Sequence, residues 1–184
     1  MKYDFICMPA EISSEGCDQI IADCQQFPLQ EATVGSASGK MVDTSMRNSK
    51  IRWVGEFEKI RSFVTSHVFK ANKVFGFDIR TIDEVQYTEY YGTDGGHFAW
   101  HQDVDWFTEN EMHRKLSFVL QLSDPSEYVG GEFQFINGHN DILQDFKQKG
   151  SILIFPSFMV HRVSPVTQGL RRSLVSWCEG LKWR

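Results

Sequence analysis

Long apolar runs are missing from this sequence. Nothing approaches the roughly 18 consecutive apolar residues that a membrane-spanning helix requires. The opening residues Met1–Phe5 carry neither the apolar segment nor the small-residue cleavage site of a secretory signal, so a cytosolic location is the default expectation. Cysteine is sparse: Cys7, Cys17, Cys24 and Cys178 form no C-x-x-C pair, which argues against a zinc ribbon or a thioredoxin-like motif. They read as reduced, buried thiols acting as small hydrophobes. Basic charge is also short, with 19 Lys and Arg against 24 Asp and Glu and a net charge of −5. That balance argues against nucleic acid as a partner, since its binders usually present a basic patch. No internal repeat or low-complexity tract appears.

What is present suits one β-rich domain. The 184 residues can bury a sizeable core. Aromatics make up 14% of them, including 15 Phe, enough for a β core and an apolar pocket. Residues 1–80 read as a helical and strand support for a core over 81–184. A short apolar segment at 2–8 predicts a strand ended by Pro9. Ser13 or Ser14 can cap a helix on which Cys17, Ile20, Ile21, Cys24 and Phe27 follow helical spacing. Residues 35–49 are small and polar without period and read as a surface loop, of a length often used for lids or binding. Arg47, Asn48, Arg52 and Trp53 end it as a solvated segment running into a short strand, with a substrate-facing rim as the alternative. Phe57, Ile60, Val64, Val68, Ala71 and Phe75 mark a second amphipathic helix, and Gly76 is placed to end it.

From residue 81 the period becomes two. Strands are expected at about 81–90, 98–103, 115–122, 131–136, 142–146, 151–155, 160–163 and 171–178. Many short strands at close spacing indicate a sandwich or barrel. Within this half, His101 and Asp103 are two apart on a predicted strand and project from one face. If His161 closes on them from another strand, the three form a two-histidine, one-carboxylate set. That set suits non-haem Fe(II) and leaves coordination positions open; a structural zinc would be expected to have four protein ligands. His97 is the rival ligand, but four extended residues separate it from His101 by about 13 Å, and it reads as a rim residue. His67 reads as an ordinary helix residue, and His113 and His139 as solvent-exposed.

The H-x-D pair gains meaning from Gly130-Gly131-Glu132, the run Gly150–Pro156, His161–Val166 and Gly169-Leu170-Arg171-Arg172-Ser173. Over residues 85 to 180 the sequence resembles the Fe(II)- and 2-oxoglutarate-dependent dioxygenases of the prolyl-hydroxylase type. The resemblance implies a mainly β double-stranded β-helix, or jelly roll, braced by the N-terminal helices. It implies that His101, Asp103 and His161 hold iron and that 2-oxoglutarate and O2 are cosubstrates. Succinate and CO2 would leave as a C–H bond is hydroxylated, and ascorbate is often used to keep the iron reduced. Asp103 in the carboxylate position fits hydroxylation rather than halogenation.

The family's basic anchor for 2-oxoglutarate lies ten residues after the distal histidine, which selects Arg171. An arginine fork suits a carboxylate. By strand parity Arg171 shares a face with Ser173, Val175 and Trp177, and Arg172 lies on the other. Tyr91, ten before His101, matches a family pocket tyrosine. Gln121, on one strand face with Ser117 and Val119, and Ser173 are further candidate cosubstrate contacts. For Gln121, hydrogen bonding only to backbone is the equal alternative. Gly130-Gly131 reads as a sharp turn, with Glu132 not needed as a ligand. The substrate is expected to be a prolyl or other residue of a peptide or protein, with a free amino acid or small metabolite as the alternative. A cupin-like metalloprotein without oxygen chemistry and a non-catalytic jelly-roll module are the rival readings.

Overall fold

The computed structural model describes residues 4–36, 39–136 and 139–183. Fourteen strands and two α-helices appear among them. The chain begins with β1 (Ile6–Met8), while Lys2 and Tyr3 of the expected first strand lie outside the described residues. Helix α1 (Ser14–Gln25) starts where Ser13 accepts a hydrogen bond from the Gly16 amide at 3.1 Å. Such a cap supplies about 1 kcal/mol. Helix α2 (Glu58–Phe75) ends at Gly76, whose left-handed φ of 71° is the conformation glycine adopts without steric cost.

Between the helices the expected loop is structured. Val34–Ser36 (β3) pairs with Gly39–Met41 (β4), Arg47–Asn48 (β5) follows, and Lys50–Trp53 (β6) pairs with both Gln30–Glu31 (β2) and β7 (Thr81–Tyr91). Only two to four residues sit in each strand, too few to impose a visible period on the sequence. Ala37 and Ser38 of that stretch lie outside the described residues.

The remaining strands are β8 (His97–His101), β9 (Met112–Gln121), β10 (Tyr128–Gly130), β11 (Phe133–Phe135), β12 (Ile152–Pro156), β13 (His161–Val163) and β14 (Val166–Leu181). The major sheet runs β1-β12-β9-β14-β7-β6-β2, with β10 added beside β14; the minor sheet runs β11-β13-β8-β5. All the pairings are antiparallel. This is the jelly-roll, double-stranded β-helix architecture.

Alternation along the strands gives the major sheet two different faces. Leu116, Phe118 and Leu120 of β9, Val85 and Tyr87 of β7 and Leu174 of β14 pack against Val64, Val68 and Cys24 of the helices. The opposite face carries Ser117, Val119, Gln121, Arg171, Ser173 and Val175, all buried but Val175. The helices thus brace the sheet from outside and leave its polar face to the interior. Burial holds the Cys17 thiol up at about 11 and the Cys24 and Cys178 thiols at about 12, so these cysteines are inert packing groups.

One expected strand is absent. Residues 142–146 fall in a 3₁₀ segment, His139–Lys147. With three residues per turn, Leu143 and Phe146 come onto one side, and both are buried against the minor sheet's Phe133 and Phe135. Alternation and a three-residue repeat cannot be told apart over so short a stretch. His139, expected to be exposed, has no described side chain.

Candidate metal centre and cosubstrate cavity

The strand register brings the distant histidines together: His161 of β13 lies directly opposite His101 of β8. Strand β8 ends at His101, so Asp103 lies two residues beyond it, where its amide donates to the Ser157 carbonyl at 2.9 Å. His101 Nε2 is 3.5 Å from Asp103 Oδ1, and His161 Nε2 is 3.6 Å from Asp103 Oδ2. One donor atom from each residue lies within 4.8 Å of the others.

Supporting contacts aim these atoms. His101 Nδ1 donates to the Ala99 carbonyl at 2.8 Å, and His161 Nδ1 to the Met159 carbonyl at 2.9 Å. A carbonyl only accepts, so each Nδ1 carries the proton and each Nε2 turns a lone pair inward. Ser117 Oγ donates to Asp103 Oδ2 at 2.6 Å and sits 3.0 Å from Ser157 Oγ. Burial opposes ionisation of Asp103, but His161, His101 and the Ser117 hydroxyl together hold its carboxyl well below the usual range. Burial, against the pull of Asp103, pushes His161 down to about 4. A carboxylate beside a neutral imidazole is the protonation state a divalent metal requires. Phe133 stacks on His161 with centroids 5.2 Å apart, and Phe98 stacks on His101 at 3.5 Å.

His97 takes no part. Its Nδ1 lies 2.8 Å from the Gly95 carbonyl and its Nε2 3.2 Å from the Ser45 carbonyl. His113, expected to be exposed, is buried beside Trp106, and its Nδ1 accepts from the Trp183 amide at 3.3 Å.

An inner cavity of about 30 Å³ adjoins the three residues, and its walls include Arg171, Ser173, Val175 and Trp177 of β14. The parity expected for Arg171 therefore holds. Arg171 is 2% exposed, its Nε has no hydrogen-bond partner, and its guanidinium carbon lies 5.6 Å from the Tyr90 ring centre. Among the described residues it forms no ion pair with a carboxylate. Glu132 is near enough to attract this charge, but a buried guanidinium Nε without a hydrogen bond is costly, and a carboxylate ligand would relieve that cost with bidentate bonds. Arg172 instead faces away, toward Glu127 at 3.2 Å.

Two expected contacts are relocated. Tyr91 lies on the outer face of β7 and donates to Glu89 at 2.7 Å. The pocket tyrosine is its neighbour Tyr90, which stands opposite Arg171 in the register. The reason is geometric: pairing with β14 sets the face of β7, whereas counting back from His101 crosses the turn at 92–96. Gln121 donates to the Ser123 carbonyl at 3.1 Å and to Tyr128 Oη at 2.9 Å, leaving Oε1 unpartnered. It lines a different, outer cavity, which also reaches Arg171.

Three further residues line this cavity: Trp177, expected there by parity, Arg47, expected there only as the rim alternative, and Gln86, not anticipated. Arg47, expected on a solvated segment, is 7% exposed, with its guanidinium carbon 4.6 Å from the Phe98 ring centre. Burial opposes its charge, and Tyr90 and Asp103 favour it. Gln86 Oε1 and Trp177 Nε1 are buried without partners in the same cavity. Parity on β14 had placed Trp177 on the Arg171 face; no local signal marks Arg47 or Gln86.

The architecture and this site define a jelly-roll protein with a candidate two-histidine, one-carboxylate metal centre and a buried cation beside it. Residues 85–179 match the 2OG-Fe(II) oxygenase superfamily, and the chain belongs to that family. A PKHD-type hydroxylase of Idiomarina loihiensis is 36% identical over 101 residues, covering 55% of this chain and 42% of the relative. The chain thus spans less than half the length of that curated relative. The viral collagen prolyl hydroxylase of Paramecium Bursaria Chlorella virus-1 superposes with a TM-score of 0.68 at 19% identity, covering 97% of each chain. A prolyl hydroxylase from Trichoplax adhaerens, in complex with a hypoxia inducible factor peptide fragment, gives 0.73 at 17% identity, covering 95% of this chain and 83% of that one. These likenesses establish the fold. Among the described residues, no helix is long and apolar enough to cross a membrane.

Proposed function

We propose that the protein is an Fe(II)- and 2-oxoglutarate-dependent hydroxylase. The observation that carries this reading is the buried Arg171, its Nε unpartnered, in the same cavity as His101, Asp103 and His161. Those three would hold the iron, and their donor set suits it. Bound Fe(II) with 2-oxoglutarate supplies the activation of O2, leaving succinate and CO2 and placing one oxygen on a substrate carbon.

The chain's own residues bind, orient and exclude water. Arg171 would take the far carboxylate of 2-oxoglutarate, with Ser173 and Tyr90 on either side of it. Phe133, Phe98, Val163 and Val175 form a dry wall around the reacting centre. The inner space is narrow, about 30 Å³. His161 and His101, with the Ser117 hydroxyl, keep Asp103 ionised, and the Ser117 hydrogen bond helps aim it. For the substrate we favour a prolyl or other residue of a peptide, supported by the prolyl hydroxylases of the same fold and the peptide held by one of them.

The test is an anaerobic titration with Fe(II) and 2-oxoglutarate, following the visible charge-transfer band of the chelate. His161→Ala should abolish the band, and Arg171→Ala should require far more 2-oxoglutarate. Metal binding without any band would favour the cupin-like alternative. A gain of one oxygen in mass on a peptide library, dependent on 2-oxoglutarate, then separates a peptide from a small-molecule substrate.

A further inference from the structure

A second cavity lies away from the metal centre. It encloses about 300 Å³ between β10, β11 and the 3₁₀ segment, against about 30 Å³ inside. Among the described residues, only Phe133 and Arg171 line both. The proposed reaction uses the inner cavity and leaves the outer one without a role.

Its chemistry is that of a small-anion site. Lys147 and Arg171 bring two positive charges to its wall, and Glu132 brings one negative charge. Glu132 is already engaged: Ser164 Oγ donates to its Oε2, and this bond, ahead of Lys147 and Arg171, holds its carboxyl below the usual range. Lys147 Nζ lies 3.9 Å from the other oxygen, Oε1, and its side chain is 40% exposed, a loose pairing that a ligand could replace. Arg171, by contrast, is buried with an unpartnered Nε. An arginine has five N–H donors in a planar fork, enough to serve one carboxylate on each side. Leu143, Phe146 and Val129 supply apolar wall for a methylene chain. The enclosed space reaches the lower end of the range for small-molecule sites.

We propose that this outer cavity binds a second small dicarboxylate, with 2-oxoglutarate itself the ligand to hand, between Lys147 and Arg171. The inference rests on the reading of Arg171 as the cosubstrate anchor. The outer molecule occupies an antechamber against the same guanidinium that anchors the inner one, so that the roomy site fills while the tight site opens.

The experiment uses the Fe(II)-loaded protein under argon, with two readouts on one titration. Equilibrium dialysis with radiolabelled 2-oxoglutarate counts every bound molecule, and the charge-transfer band counts only the chelated one. The expected result is two equivalents by dialysis where the band saturates with one. Lys147→Glu, a partly exposed substitution, should reduce dialysis to one equivalent with the band unchanged, and Lys147→Met should do the same. One equivalent in the wild type with a normal band overturns the proposal, as do two equivalents in both variants. A missing band in the wild type instead defeats the iron and cosubstrate reading, and this one with it.

Discussion

Gly131 stands against Arg171 so closely that a Cβ on the glycine would lie 2.8 Å from the arginine Cδ. The same Cβ would lie 2.8 Å from Val166 Cγ2, and the backbone there has a φ of +65°. The missing side chain at Gly131 therefore leaves room for the Arg171 stem to pass, besides bending the chain.

Replacing that glycine should displace the arginine. In Gly131→Ala the left-handed backbone costs roughly 1–2 kcal/mol, and the added methyl pushes on Arg171. The expected outcome is a 2-oxoglutarate affinity lowered tenfold or more with metal affinity unchanged, read by band titration beside a Co(II) titration. Equal losses in both would mean a general collapse of the site rather than a moved anchor.

Ser117 offers a second handle. Its hydroxyl is a hydrogen-bond donor to the buried Asp103 carboxylate, and bonds to charged groups are worth about 1.5–3 kcal/mol. Ser117→Ala should weaken metal binding about 10–100-fold, as loss of a ligand's supporting contact does, while Ser117→Thr should retain most of it. Unchanged metal affinity in the alanine protein would remove Ser117 from the site.

The neighbouring tyrosines separate cleanly. Tyr90→Phe removes a hydroxyl from the cavity that Arg171 and Arg47 share, and should raise the 2-oxoglutarate concentration needed for half-saturation. Tyr91→Phe removes only the bond to Glu89 and should leave that value unchanged. The reverse pattern would restore the residue selected by counting from His101.

His161 gives the pH dependence. In metal-free protein its ring proton signal should titrate near 4 rather than near the usual 6.5. The native state therefore binds this proton less readily than the unfolded chain. Stability from the neutral ring is present above about 6.5 and is lost as pH falls toward 4. Chemical denaturation across that window should show stability falling with acid, and a His161→Gln protein should lose part of the slope. A midpoint near 6.5 would contradict the burial argument.

How much of this was readable in the sequence depended on how far each residue's role is set locally. His101 and Asp103 were legible as an H-x-D pair, although β8 ends at His101 and leaves Asp103 just beyond it, and Arg171 was legible through the family spacing from His161, parity alone only putting it and Arg172 on opposite faces. Tyr91 was off by one because its face is decided by pairing with β14. Arg47 stood only as the rim alternative because its place is set by Phe98, its partner across β5 and β8 and 51 positions further along the chain. Residues 142–146 misled because Leu143 and Phe146 satisfy a three-residue repeat as well as they suggest a strand.

The short strand β5 carries a consequence for anyone trimming this protein. The motif-bearing half begins near residue 81, and a fragment starting there would keep His101, Asp103, His161 and Arg171. It would nevertheless lose the β5 edge that brings Arg47 to the cavity, together with both helices that cover Leu116, Phe118 and Leu120. Such a minimal catalytic fragment would carry every recognisable signature while having one wall missing and a greasy sheet turned to water. It should be recovered as aggregate, a warning that the smallest matching segment is not the smallest working unit.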